Sequence, residues 1–338
     1  MRVGTTEVVP SHEFSTRPES TKQMRLFHHL EEVPADFGPT ILSVGNFDGV
    51  HRAHQAVLAQ VVKRAKERNA RSLAVTFEPH PTRILRPDVA PKLITPLPRK
   101  LELLAATRLD ATLVLPFSRD LSLTPPRKFA EEILGKRLRA LEVHEGANFH
   151  FGHKAHGDVR RLAEYGREAG FEVEIYPEMQ VRGDTVSSSR VRELLQQGQV
   201  ARARQLLGRV FSLVSTPGRG RGFGHKYTVP TINLSPYDEL VPADGVYVTR
   251  ARINGECFDS VSNVGYRPTF AHESFAVETH LLNFHPIELT AQTEVELFFL
   301  YRLRGEIKFP SVEALRVQIA HDVRRARHYF HLAPKNGF

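Results

Sequence analysis

Residues Ser43 to Gln55 read SVGNFDGVHRAHQ, and Ile41, Leu42 and Val44 around their start form the short apolar run of a buried strand. Gly45 and Gly49 permit backbone angles that a side chain forbids, so the chain can turn sharply and bring its amides close to a ligand. After the turn, His51, His54, Val57, Leu58, Val61 and Val62 recur at helical spacing. Both histidines therefore fall in a first helical turn, where unpaired amides and the helix dipole attract anions. The sequence of strand, glycine turn and histidine-bearing helix start points to nucleotide phosphate. Asp48 and the two histidines also suggest a metal, but zinc takes three or four ligands, and no further cluster lies nearby in sequence.

Outward from this segment, apolar runs at Ser72–Phe77, Ala111–Phe117, Leu141–His144 and Phe171–Tyr176 predict further strands. Between them, Leu97–Arg108, Pro126–Leu138 and Val159–Ala169 carry helical periodicity, the middle one opening on a proline whose missing amide costs nothing there. Strands separated by helices imply right-handed crossovers, a parallel sheet and an α/β fold, with ligands at the carboxyl ends of the strands. The turn after Val44 is such an end.

From Phe211 onward the pattern changes. Tyr247–Ile253 and Cys257–Val261 flank Asn254-Gly255, a hairpin signal, and Ala276–Phe284 and Thr293–Leu303 continue as strands. Only Val312–Tyr329 returns to a helical period. This predicts a small antiparallel β-barrel with a terminal helix, connected to the first half through Arg202–Arg209. The expected divisions are thus a polar, patternless disordered tail over 1–23, an α/β domain over 24–208 and a barrel domain over 211–332.

A chain of 338 residues accommodates two domains by the prior of about 150 residues each. Its single cysteine, Cys257, excludes an internal disulfide. No apolar stretch approaches the ~18 residues of a membrane helix, so the expectation is a cytoplasmic protein without a membrane partner. The net charge of +8 favours anionic partners, but the basic runs lie on helices where a solvated face explains them, and no nucleic-acid module is visible.

Two further segments carry chemistry. In VSSSRVRELL, Val186 to Leu195, the hydroxyls of Ser187, Ser188 and Ser189 precede an amphipathic helix; Ser187 or Ser188 can cap it while its amides bind phosphate, and Arg190 and Arg192 add positive charge. In GRGRGFGHKYTVPTIN, Gly218 to Asn233, a glycine-rich loop containing Gly222 and Gly224 can wrap phosphates or serve as a linker.

GNFDGVHRAHQ, TFEPHP (Thr76 to Pro81), GANFHFG (Gly146 to Gly152) and VSSSRVR resemble, in order, the motifs of the flavin mononucleotide adenylyltransferase domain. VPTIN, PADGVY, NVGYRPTF and VETHLLNF resemble the riboflavin kinase domain that follows it in the prokaryotic bifunctional riboflavin kinase/FAD synthetases. The resemblance runs from Thr40 to Phe330. It implies a Rossmann-like nucleotidyltransferase domain followed by a kinase barrel, with riboflavin, FMN and ATP as small-molecule partners and Mg2+ as cofactor. By the same resemblance His51, His54 and Arg192 hold ATP phosphates, with Gly45, Asn46, Phe47, Asp48, Gly49, Ser187, Ser188, Ser189, Gly222 and Gly224 around the nucleotide. Asn148 lies near the flavin, Thr231 and Asn233 bind the magnesium and ATP phosphates, and Glu278 is the base that activates the ribityl hydroxyl. Phe149 and Phe151 are read as core.

The sequence departs from the family in places. Ala53 stands where glycine is usual, Asn148 where aspartate is frequent, and Ala155 where many members carry arginine. Tyr227-Thr228-Val229 replaces Leu-Gly-Phe, and Ile232 replaces alanine. An adenylyltransferase with an impaired kinase half is accordingly one alternative, and a nucleic-acid-binding protein is another. The oligomeric state is left open.

Overall fold

The structure, a computed structural model, describes residues 23–218, 231–268, 273–285, 287 and 289–332. The N-terminal tail over 1–22 and the glycine loop with Gly222 and Gly224 lie outside the described residues.

Six parallel strands build the first sheet: β1 (Arg25–Phe27), β2 (Thr40–Val44), β3 (Arg71–Glu78), β4 (Ala111–Pro116), β5 (Ala140–Gly146) and β6 (Glu172–Tyr176). Their spatial order is β1-β4-β3-β2-β5-β6. The chain moves outward from β2 through β3 to β4, then returns to place β5 on the other side of β2. Strand order therefore reverses between β2 and β5, where open α/β sheets form a ligand crevice. β1 was not foreseen; three residues are too short for a period-2 pattern to be read.

The sheet is covered on both faces. Ile41 and Ala74 pack against Leu58, Val61 and Ala65 of α1 (Arg52–Glu67). On the other face Leu42, Val75 and Leu113 meet Phe129, Leu134 and Leu162, the last from the helix Val159–Ala169. Leu97–Ala105 is helical as expected. The segment Pro126–Leu138 differs: after one α-helical turn, Phe129–Arg137 winds as a π-helix, with the Leu138 N–H donating to Ile133 O at 2.9 Å. Phe129, Ala130 and Leu134 are its buried residues.

The second sheet is antiparallel: β7 (Phe211–Ser215), β8 (Thr231–Asn233), β9 (Gly245–Ile253), β10 (Glu256–Pro268), β11 (Glu273–Leu281) and β12 (Val295–Arg304), in the order β7-β12-β9-β10-β11-β8. Asn254 and Gly255 both take positive φ, +49° and +83°, as the predicted tight hairpin requires. The edges meet just beyond β7 and β8, where Gly218 N–H donates to Asn233 O at 2.7 Å and Ser235 N–H to Thr216 O at 2.8 Å. The C-terminal helix Val312–Leu332 covers Val246, Val248, Val261 and Leu300 on the outer face.

Arg202–Arg209, expected as a connector, belongs largely to a helix. Ser188–Gln196 and Val200–Leu207 form two short helices around Gly198, which takes φ +72°. In VARARQLL the apolar residues Val200, Ala203, Leu206 and Leu207 fall on one face, and all four are fully buried. They share one core with Val191, Leu194 and Leu195 on one side and Phe211, Tyr247 and Phe299 of the second sheet on the other.

Candidate functional site

A cavity of about 1450 Å³ opens at the carboxyl ends of β2 and β5, where the strand order reverses. Gly45, His51, Phe77, Asn148, Tyr176 and Ser187 are among the residues that line it. The turn after Val44 departs from the simplest expectation. Gly49 takes φ +83°, but Phe47 and Val50 also lie in the left-handed region, at +46° and +37°, whereas Gly45 does not. A β-branched valine there is strained, which is the kind of backbone found at ligand sites. Gly45 serves a different purpose, since a Cβ would meet the Phe47 ring at 3.3 Å.

His51 is the N-cap of α1, its Nδ1 accepting the His54 amide at a long 3.4 Å. With Nδ1 an acceptor, the neutral ring carries its proton on Nε2 and can donate it to a phosphate. The two imidazoles stack with centroids 3.6 Å apart and planes inclined by 16°. Burial pushes His51 down to about 4, with the Arg209 charge adding to it. Burial likewise holds His54 well below the ordinary histidine range, helped by His51 and Lys100. Both rings are thus neutral at pH 7 in the free protein. His54 Nδ1 is sealed from solvent without a partner among the described residues.

The serine helix is fastened to this turn. Ser187 caps it, accepting the Arg190 amide at 3.2 Å, and Ser188 Oγ donates to Asp48 O at 2.8 Å. Arg192, one turn on, pairs with the Asp48 carboxylate at 2.8 Å and donates through Nε to Lys92 O at 3.1 Å. The buried Asp48 also accepts the amides of Ile94 and Thr95 at 2.9 and 3.0 Å. Its carboxylate is therefore engaged in holding Arg192 and the segment before Leu97. The two segments expected to bind phosphate, far apart in sequence, are brought to one place. Ser189 belongs to the same first turn.

Sequence reasoning passed over three charged residues here. Lys100 is buried, donating to Asn46 O and Thr76 Oγ1 at 3.2 Å each, and burial lowers its pKa. Arg209 donates to Val50 O at 3.3 Å, and burial lowers it to about 10. Glu145, at the end of β5, accepts the Val44 amide at 2.6 Å and lines the cavity. Lys100 and Arg209 sit in patterns indistinguishable from solvated helical charge, and Glu145 sits in a strand pattern. None carried a spacing signal. Asn148 is on the cavity wall beside Gly146, and Phe149 and Phe151, expected as core, both pack into the core and line the cavity.

A second candidate site lies on the barrel. β8 pairs with β11 so that Asn233 stands opposite Glu278 and Thr231 opposite His280. Directly opposed residues share a face, and so do residues two apart, which puts Thr231, Asn233 and Glu278 on one side of the sheet. The alternate residues Ile232, Val277 and Leu281 enter the core. Inside the barrel the fully buried hydroxyls of Thr249, Ser260, Ser262 and Thr279 bond one another at 2.7–2.9 Å, on the face opposite Glu278. His280, on the outer face, is lowered by burial and by Arg327 of the C-terminal helix.

The FAD synthetase family matches residues 33–190, and the riboflavin kinase family matches 207–330. A bifunctional riboflavin kinase/FMN adenylyltransferase of Pseudomonas fluorescens is 34% identical, the match covering 90% of this chain and 97% of that one. Its counterpart in Escherichia coli (strain K12) is 32% identical over 92% and 98% of the two chains. A crystal structure described as a macrolide-efflux protein from Streptococcus pneumoniae superposes with a TM-score of 0.80 and 25% identity, covering 90% of this chain and 98% of that one. Among the described residues of this chain, no helix is long and apolar enough to cross a membrane.

Proposed function

Because the chain belongs to the family of bifunctional riboflavin kinase/FMN adenylyltransferases, we propose that its two sites divide two reactions between them. The protein phosphorylates riboflavin to FMN with ATP and then adenylylates FMN to FAD, releasing pyrophosphate. We assign adenylyl transfer to residues 24–208 and the kinase to 211–332. What supports the first assignment best is the fastening of the Ser187–Ser189 helix start and Arg192 to the histidine turn through Asp48.

In adenylyl transfer an oxygen of the FMN phosphate attacks the α-phosphorus of ATP and the bond to the pyrophosphate oxygen breaks. The nucleophile is already anionic, so no protein base is required; the barrier lies in crowded negative charge. His51 Nε2–H, the amides of Asn46 to Asp48, those of Ser188 and Ser189 and the Arg192 guanidinium supply donors and positive charge to that region, the Gly45 and Gly49 amides being taken by Val75 O and Thr95 Oγ1. His54 supports His51 by stacking. Asn148 borders the flavin.

In the kinase the ribityl hydroxyl must lose its proton as it attacks the γ-phosphorus, and Glu278 takes it. Thr231 and Asn233 offer hydroxyl and amide oxygens beside that carboxylate, an all-oxygen set that suits a hard ion such as Mg2+. They would hold it together with the ATP phosphates, whose charge it would offset. A cytoplasmic setting fits a chain whose one cysteine, Cys257, is free and exposed.

The test is to incubate purified protein with riboflavin and Mg-ATP and resolve the flavins by chromatography. FMN and FAD should both accumulate. With FMN supplied instead, FAD alone should appear; failure of that second reaction would remove the adenylyl-transfer assignment, and absence of FMN in the first would remove the kinase.

A further inference from the structure

Glu145 is a carboxyl group where an aliphatic side chain would pack. It is only 4% exposed, at the end of β5 beside the strand-order reversal. One oxygen is accounted for. The ladder between β2 and β5 ends at Leu42 opposite Val143, and Glu145 Oε1 then takes the Val44 amide at 2.6 Å, extending the pairing with a side chain. That bond fixes the carboxyl plane.

The other oxygen has no protein partner among the described residues. Nor is it sealed, since the only sealed, unpartnered side-chain polar atoms among those residues are His54 Nδ1 and Arg302 Nε. Glu145 lines the cavity, so Oε2 opens into it. No guanidinium or ammonium pairs with this carboxyl among the described residues, in contrast to Asp48 and Glu142. An ionised Glu145 would stand unpaired and buried, facing a cavity that receives polyphosphate; a neutral carboxylic acid avoids both costs and carries a donor. Burial indeed pushes this carboxyl well above the usual range.

We propose that Glu145 is a specificity-determining residue of the adenylyl-transfer cavity, its Oε2–H donating a hydrogen bond to an unprotonated oxygen or ring nitrogen of one of the two substrates. Both ATP and FMN carry such acceptors. The inference rests on the assignment of adenylyl transfer to this cavity, and it adds a contact with the substrate that neither histidine provides. Gln at this position keeps an acceptor for Val44 and a donor toward the cavity, whereas Leu keeps the volume and loses both.

The experiment titrates FMN alone and Mg-ATP alone calorimetrically into wild type, Glu145→Gln and Glu145→Leu, and adds steady-state KM and kcat for FAD formation. E145Q should bind both ligands within about threefold of wild type. E145L should bind one of them about tenfold more weakly, with a matching rise in its KM and little change for the other, as loss of one buried hydrogen bond implies. Which ligand weakens identifies the acceptor. If E145L does not fold, Glu145→Ala takes its place with the same expected split. Loss of affinity in E145Q, unchanged binding in the apolar variant, or equal weakening of both ligands would overturn the proposal. A wild-type protein that binds neither ligand would instead overturn the assignment of the cavity itself.

Discussion

His51 shows how one residue links fold stability to substrate charge. Its proton affinity is lowered to about 4 in the folded state against 6.5 ordinarily, so between those values the unfolded chain binds the extra proton and folding loses stability as pH falls. Between pH 7 and pH 5 the loss attributable to this group is about 2 kcal/mol, which urea unfolding at those two pH values should reveal, with His51→Asn reducing the slope. Glu145 acts in the opposite sense, because its raised pKa gives stability that fades as pH rises above the ordinary carboxylate range. Bound polyphosphate should restore proton affinity to the stacked histidines. ATP binding near pH 6 should therefore take up protons, which calorimetry in two buffers of different ionisation enthalpy measures directly. Arg192→Ala removes both the cation proposed to face the phosphates and the partner of a buried carboxylate. It should slow FAD formation by about two orders of magnitude and destabilise the protein by about 3 kcal/mol.

At the scale of elements, the turn between Ser188–Gln196 and Val200–Leu207 carries more than its sequence suggests. Gly198 takes φ +72°, and a Cβ there would meet Arg302 Cδ at 2.7 Å. Arg302, from β12, donates to Gln197 O at 3.3 Å and to Asp244 O, so the same close approach ties the helix pair to the barrel. Gly198→Ala should cost at least about 1 kcal/mol from backbone alone, and more from displacing Arg302, seen as a lowered urea midpoint at unchanged slope. The pairing of β8 with β11 gives the matching functional prediction. Glu278→Gln preserves shape and pairing but not basicity, so FMN formation should fall by about 10²- to 10⁴-fold while FAD formation from added FMN is retained.

For the whole molecule, the shared apolar core and the polar contacts around it make the two halves mechanically continuous. Leu240 N–H donates to Leu93 O at 3.1 Å, Ala243 N–H to Leu195 O at 3.0 Å, and Arg99 pairs with the buried Glu296 at 3.1 Å. Both activities should consequently be lost in one thermal or denaturant transition, whereas His51→Ala and Glu278→Gln should abolish them separately; two well-resolved transitions would contradict the continuity. The alternation of strands and helices, the change to hairpins after Phe211 and the order of the motifs were legible in the chain, because strand and helix periods and tight-turn chemistry are local. The helix starts at His51 and at the serines, and the strand positions of Thr231, Asn233 and Glu278, were legible in the same way. What stayed hidden was whatever depends on two distant segments meeting. Arg202–Arg209 looked like a basic connector because its buried face needs both the barrel and the serine helix before it has anything to pack against. Lys100, Arg209 and Glu145 looked like ordinary charges until burial raised the cost of their ionisation or pairing. By itself, then, the sequence determined the elements, their order and the residue types offered to phosphate; only the tertiary structure decided that Asp48 engages Arg192, that the histidines are neutral, and that a carboxyl faces the cavity, since hydrogen-bond partners and desolvation are properties of neighbours in space.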